Sequence, residues 1–351
     1  MKKIIFSVSL LLSPFIVSAQ TAQELIEQGA KLIDEGKYAE AILKLDDALK
    51  LDPANILAKS EKAAAFYYSA KYQQAADLCK ETISKNKNST ELKNIYITYG
   101  NSLDELNKPK DALKIYKEGM KKFPDSYLLP FNAGLTYVNL KVYEDAEEMF
   151  EKAILINPEH ASSHYYLGMT MDAMGKKIPA ILALMRFLIL EHEGTKAEKA
   201  LPYVLKKIKG NAAKTDDGKI NVTVDESAMD KSKENNFSTA DLILSLSAAY
   251  DFDDKNLDKS EIELFIQKFD VMVSTMMEEQ DKGKGFFWTY YVPFFVELKK
   301  QAHLDTFCYI LYAYREGENE EVDKWMAANN NRLQTFVLWA GTYAWPKENK
   351  K

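Results

Sequence analysis

The sequence predicts an all-α fold: an α-solenoid of about five helix-turn-helix repeats over residues 22–194, then a second all-helical domain. Three observations carry this prediction. Gly (14) and Pro (10) are scarce among 351 residues, while the good helix formers Leu, Ala, Lys and Glu are plentiful. A small residue recurs at Gly29, Ala63, Gly100, Gly134 and Gly168, with spacings of 34, 37, 34 and 34. Pro124 and Pro158 are also 34 apart. A fixed period of this length means stacked supersecondary units, none of which can bury its apolar face alone.

Composition narrows the function classes. Hydrophobic residues make up 46% and charged residues 28%, which is ordinary for a soluble globular chain and excludes collagen, a disordered tail protein and a multi-span membrane protein. Lys+Arg number 46 against 52 Asp+Glu, a net charge of -6. A nucleic-acid binder usually carries a basic surplus to neutralise phosphates, so no nucleic-acid partner is expected.

The first segment reads as a targeting signal. Met1-Lys2-Lys3 is basic, Ile4 to Val17 is largely apolar, and Val17-Ser18-Ala19 offers a cleavage site before Gln20. Residues 1–19 are therefore expected to be a secretory signal peptide, with the protein periplasmic or secreted. The run is shorter than the roughly 20 apolar residues that span a bilayer, so no integral membrane span is expected. No Cys follows the cleavage site, which argues against a lipoprotein anchor. Cys79 and Cys308 are too few for a disulfide framework and read as buried free thiols.

The repeats follow in order. The first copy reads Leu25, Gly29, Leu32, Ala41, Leu45, Ala48, Pro53. The second keeps Ala63, Phe66, Ala75 and Cys79, and a three-residue insertion near Lys87–Thr90 accounts for the 37-residue step. The third reads Tyr96, Tyr99, Gly100, Leu103, Ala112, Tyr116, Gly119, Pro124. The fourth reads Pro130, Ala133, Gly134, Tyr137, Ala146, Phe150, Ala153, Pro158. The fifth keeps Leu167, Gly168, Met171, Ala180, Leu184 and Phe187, with His192 where Pro is usual. These copies resemble tetratricopeptide repeats, whose pattern is W-x2-L-G-x2-Y, then A-x3-F-x2-A, then P. Trp is absent from the opening position in every copy. The small residue on the first helix lets the second approach closely, and Pro ends the second helix.

Beyond the array, Thr195-Lys196-Ala197-Glu198 predicts a capping box opening a capping helix over 195–210. Residues 211–236 read as a polar linker with one short strand at Ile220–Val224. Residues 237–346 are helical and aromatic-rich, with helices expected at Thr239–Tyr250, Glu261–Glu279, Phe286–Lys300, Leu304–Tyr314 and Val322–Tyr343, the last broken near Asn329–Asn331. Their short loops suggest diverged helical repeats or a small bundle.

Chemical motifs are weak. His160 and His164 have the i,i+4 spacing of a metal pair but no HExxH context, so they are read as packing and surface residues. The acidic loop Asp251–Asp258 lacks the Gly and Glu of an EF-hand, and Ser260–Glu263 reads as a helix capping box. Gly283-Lys284-Gly285 lacks the Lys-Ser/Thr of a phosphate loop. The run Phe286–Phe295 reads as core. No catalytic, cofactor or metal residue is assigned.

The resemblance implies a binding role, since tetratricopeptide arrays commonly hold a peptide or helix on their concave face. On the first helix of each repeat, i, i+4, i+7 spacing places Tyr67, Ile97, Asn101, Asp104, Phe131, Leu135, Tyr165, Met169 and Asp172 on that face. Phe131 and Tyr165 are expected as side-by-side anchors, with Asn101 and Asp172 orienting a bound segment. The set lacks the Lys/Arg/Asn clamp by which chaperone-docking members hold a C-terminal carboxylate. The reading is a non-catalytic scaffold for a protein or peptide partner in the bacterial envelope. The rival is an enzyme, perhaps a hydrolase, housed in the C-terminal half with the repeats recruiting substrate.

Overall fold

The computed structural model describes residues 21–315 and 319–347. The expected signal peptide, 1–19, lies outside the described residues. The fold is all-α and of the repeat type, with one minimal hairpin of strand among the described residues. The chain divides into two compact units between Lys108 and Pro109.

The first unit holds α1 (Ala22–Asp34), α2 (Tyr38–Leu51), α3 (Ile56–Tyr68), α4 (Tyr72–Lys85) and α5 (Lys93–Glu105). Thr21 and Glu24 close a capping box on α1, and Asn55 caps α3. The inserted residues form a single 3₁₀ turn at Thr90–Leu92 before α5. Each hairpin turn uses one left-handed residue: Gly36, Ala70 and, after α5, Asn107. The next N–H reaches back to close the first helix, as in Lys37 N–H to Leu32 O at 2.8 Å. This is the Schellman turn, and only Gly36 adopts it without steric cost. A Cβ added at Gly29 would lie 2.7 Å from Leu45 Cγ, so that glycine permits the α1–α2 approach.

The second unit begins with α6 (Pro109–Lys122), α7 (Leu128–Asn139), α8 (Tyr143–Ile156), α9 (Ala161–Ala173) and α10 (Lys177–Leu190). Lys141 and Gly175 take the left-handed turn position here. A Cβ at Gly134 would meet Phe150 at 2.7 Å, and one at Gly168 would meet Leu184 at 2.6 Å. The small residues that reveal the period are thus the points of closest helix approach. Every residue of α10 from Lys177 to Leu188 is buried.

The capping helix forms as α11 (Ala197–Lys209), but without the expected box: Lys196 occupies the N-cap and no side chain caps the helix. Lys196 instead extends its amine to Ser162 Oγ on α9, 2.7 Å away. The 211–236 segment is more ordered than a linker. β1 (Ala212–Lys214) pairs antiparallel with β2 (Ile220–Val222), so the single expected strand has a partner the sequence pattern hid. Asn235 is buried and receives a backbone tie from Phe287 N–H at 3.0 Å.

The C-terminal region contains α12 (Ser238–Leu246), α13 (Glu261–Glu279), α14 (Phe286–Tyr290), α15 (Val292–Lys300), α16 (Leu304–Ala313), α17 (Glu320–Ala328) and α18 (Asn330–Thr342). Helix α13 is central, packing on α11, α12, α15 and α16. The expected helix 286–300 breaks at Tyr291 because Pro293 must sit at the start of a helix. The expected helix to Tyr250 ends at Leu246 and continues as a 3₁₀ turn. Asn329 divides the last pair, as its position suggested. Between α15 and α16 the left-handed turn recurs at Ala302, with His303 N–H bonded to Leu298 O at 2.9 Å. This hairpin keeps the repeat's turn but not its close packing, because Phe295 and Phe307 meet where the helices would touch, at 6.2 Å between rings. One apolar core in this unit runs from Ala146 on α8 to Trp345.

Candidate functional site

The nine residues expected on the inner face are placed as follows. In the first unit Tyr67, Ile97, Asn101 and Asp104 are all half-buried. Tyr67 packs its ring 5.5 Å from Tyr68 and 5.6 Å from Tyr72. Its burial, reinforced by Glu105, pushes the phenol up to about 12, so it stays a neutral donor.

In the second unit Phe131 is wedged among Phe150 at 6.0 Å, His160 at 4.7 Å and Tyr166 at 5.8 Å. It is a half-buried packing ring more than an open anchor. Tyr165 is buried outright, edge-on to Phe187 at 5.1 Å and beneath the Lys196 amine. The expected pairing of Phe131 with Tyr165 fails because the ring beside Phe131 is that of Tyr166. Leu135 and Met169 remain half-buried at the core's edge. Asp172 accepts a hydrogen bond from Tyr203 of α11 at 2.6 Å, with Lys207 3.8 Å away. Helix α11 therefore engages the inner side of the last repeat. Spacing within one repeat could not show that a later helix does so.

The two histidines do not converge as a metal pair. His160 Nδ1 meets Ser163 Oγ at 2.7 Å. His164 Nε2 lies 3.0 Å from Pro158 O, a pure acceptor, so Nε2 carries the proton. Nδ1 then accepts from the Tyr291 hydroxyl at 2.7 Å. Burial lowers His164 to about 3 and His160 to about 4, so both are neutral. Asp251 of the acidic loop pairs with Lys268 at 2.7 Å, and Ser260 and Glu263 form the capping box on α13. No group of three or more metal-ligating side chains occurs among the described residues. Cys79 and Cys308 are both buried and free.

Two charged groups on α10 have buried pairings that the sequence reading did not assign. Lys177 is buried and pairs with Asp241, with Asp225 at 2.9 Å and with Ser245 at 2.8 Å. Arg186 is buried and donates to Glu159 at 2.8 Å. The available signal was their place at the start and middle of the apolar run of α10, since a charge there needs a buried partner.

A family model described as "Psidin, N-terminal TPR repeats region" matches residues 31–170. The chain is similar to the Hsp70-Hsp90 organising protein of Plasmodium falciparum, 32% identical over 111 residues, covering 32% of this chain and 43% of that protein. It is also similar to RNA polymerase II-associated protein 3 of Mus musculus, 30% identical over 111 residues and covering 32% of this chain and 16% of that protein. The chain thus spans less than half the length of these relatives. A thermophilic TPR protein of Thermus thermophilus superposes with a TM-score of 0.46 at 17% identity, covering 53% of this chain and all of that one.

Proposed function

We propose that this tetratricopeptide-repeat protein is an exported, non-catalytic scaffold that holds a protein segment on the inner face of its repeat helices. The observation that carries the reading is that face itself. Leu135 and Met169 in the second unit are large apolar side chains left half-buried 34 residues apart, one repeat, and in the first unit Tyr67 and Ile97 are half-buried on the corresponding helix face. Half-buried apolar side chains in register are what an apolar segment covers, and a few of them carry most of such an interface's energy. Asn101 and Asp104 set polar groups on the same helix as Ile97. Tyr165 and Asp172 are withdrawn from the contact, being covered and engaged by residues of the same unit. The face favours an apolar segment over a terminal carboxylate, since it holds no basic clamp. The relatives' names speak of Hsp70-Hsp90 organising and of RNA polymerase II association; those are properties of those proteins.

The test is capture of a partner from an envelope fraction by the full chain, by Ile97→Asp and by the double variant Leu135→Asp/Met169→Asp. Loss of one partner with both variants, at unchanged helical content, supports the scaffold. Equal retention by all three overturns it. Export is tested separately: N-terminal sequencing should find Gln20 first, and an intact Met1 in envelope protein would refute it.

A further inference from the structure

Three buried groups with unpartnered hydrogen-bonding atoms pack around the Trp345 indole in the second unit. Arg186 projects from the middle of α10 and its side chain is only 4% exposed. Its Nη2 is used, donating to Glu159 at 2.8 Å, but Nε–H has no partner. The guanidinium lies over the Trp345 indole, 4.3 Å from the ring centroid. Trp345 Nε1–H is also buried without a partner. The Tyr290 ring sits 5.1 Å from that indole, and its hydroxyl is a third unpartnered group. Buried polar groups are nearly always paired, so three orphans around one buried cation are an exception with a direction. All three can donate, and the charge among them is positive.

A cavity of about 350 Å³ opens beside Arg186 and Trp345. Away from that polar end its wall is apolar, formed by Leu188, Phe307, Leu311, Phe336 and Ala340. Glu159, the anion on the wall, has a side chain 66% exposed, so water screens its pairing with Arg186. Val337, 63% exposed, and Gly341 stand at the rim. The combination is an apolar slot with a cationic, donor-rich floor, in the size range of small-molecule sites.

We propose that this cavity binds an acyl carboxylate, with its head on Arg186 Nε and Trp345 Nε1 and its chain along the apolar wall. A carboxylate supplies acceptors for both donors that line the cavity and pairs with the cation. The site is separate from the repeat-helix face of the scaffold reading and does not depend on it.

The test is titration calorimetry of the full chain with sodium decanoate below its micellar range. Decanol and N-acetyl-phenylalanine are the comparison probes. Decanoate should bind one to one, with decanol weaker by about tenfold or more. Trp345→Phe keeps the ring, removes the donor and should weaken decanoate several-fold. Arg186→Gln should bring decanoate down to the affinity of decanol. Gly341→Phe is the folding-safe control, because a Cβ at that position meets no atom within 4 Å. That variant should abolish decanoate binding while its melting midpoint holds or rises. Decanol binding as tightly as decanoate would overturn the proposal. So would undiminished decanoate binding by folded Gly341→Phe, or no decanoate binding at millimolar concentration. N-acetyl-phenylalanine binding more tightly than decanoate would overturn the acyl assignment in favour of a peptide C-terminus.

Discussion

Glu151 on α8 has an Oε1 that is sealed from solvent and finds no partner. Burial first, and then the Glu147 charge, hold its pKa up at about 8. In the unfolded chain it ionises near 4.5, so its contribution to stability is full below 4.5 and is lost as pH rises toward 8. Glu151→Gln should therefore raise the unfolding free energy from a urea melt at pH 8.5 by on the order of 2 kcal/mol, with the gain vanishing by pH 5. His160 and His164 act in the opposite window. Their folded values of about 4 and 3 lie below the ordinary 6.5, so their stability is full above 6.5 and falls as pH drops toward 4. Tyr291→Phe removes the donor to His164 Nδ1 and should cost about 1–3 kcal/mol in a urea melt at pH 7.5. The i,i+4 spacing of His160 and His164 was legible in the sequence. Their partners were not, since Tyr291 is 127 residues from His164.

At the scale of elements, the hairpin turn offers a matched pair of substitutions. Lys141 and Gly175 occupy the same turn position one repeat apart, with φ of 59° and 72°. Lys141→Gly should stabilise by about 1 kcal/mol, because the left-handed region penalises a Cβ. Gly175→Ala should destabilise by a similar amount, purely through the backbone, since its Cβ would meet nothing within 4 Å. Thermal midpoints moving in opposite directions are expected; a shared direction would sink the argument. Gly134→Leu and Gly168→Leu act instead through packing. Their first added carbon already falls inside contact distance of Phe150 and Leu184, and overpacking of this kind typically costs about 1–3 kcal/mol. The small residues, the apolar run of α10 and the Asn329 break were readable because each is a local demand on sequence. The β1–β2 pairing and the uncapped start of α11 were not, because propensity there yields to neighbours from other elements, whereas the break at Tyr291 follows from Pro293, a local signal the expected single helix passed over.

For the molecule as a whole, α10 decides where the array can be cut. Ile178, Leu182 and Met185 are buried on it alongside Ala180, Leu184 and Phe187 of the repeat pattern. The first three lie off the positions that a repeat uses, and the core they belong to extends through α12, α13 and α15 to Trp345. A chain ending at Leu190 should expose that face and aggregate in gel filtration, whereas the full chain stays dispersed. A well-behaved, fully helical product from the truncated chain would contradict this.

The all-α class, the period and the small residues at close helix approaches are legible in the amino acids alone. Each of these is a requirement that one repeat places on its own residues, and repetition amplifies the signal. That Tyr165 is buried, that Asp172 is engaged by Tyr203 and that Arg186 stacks on Trp345 beside a cavity follows from long-range packing. Those outcomes depend on which distant segment covers a given face, and side-chain periodicity contains no information about the partner. A helix stripe says that something apolar must lie against it; the packing of the remaining chain says what.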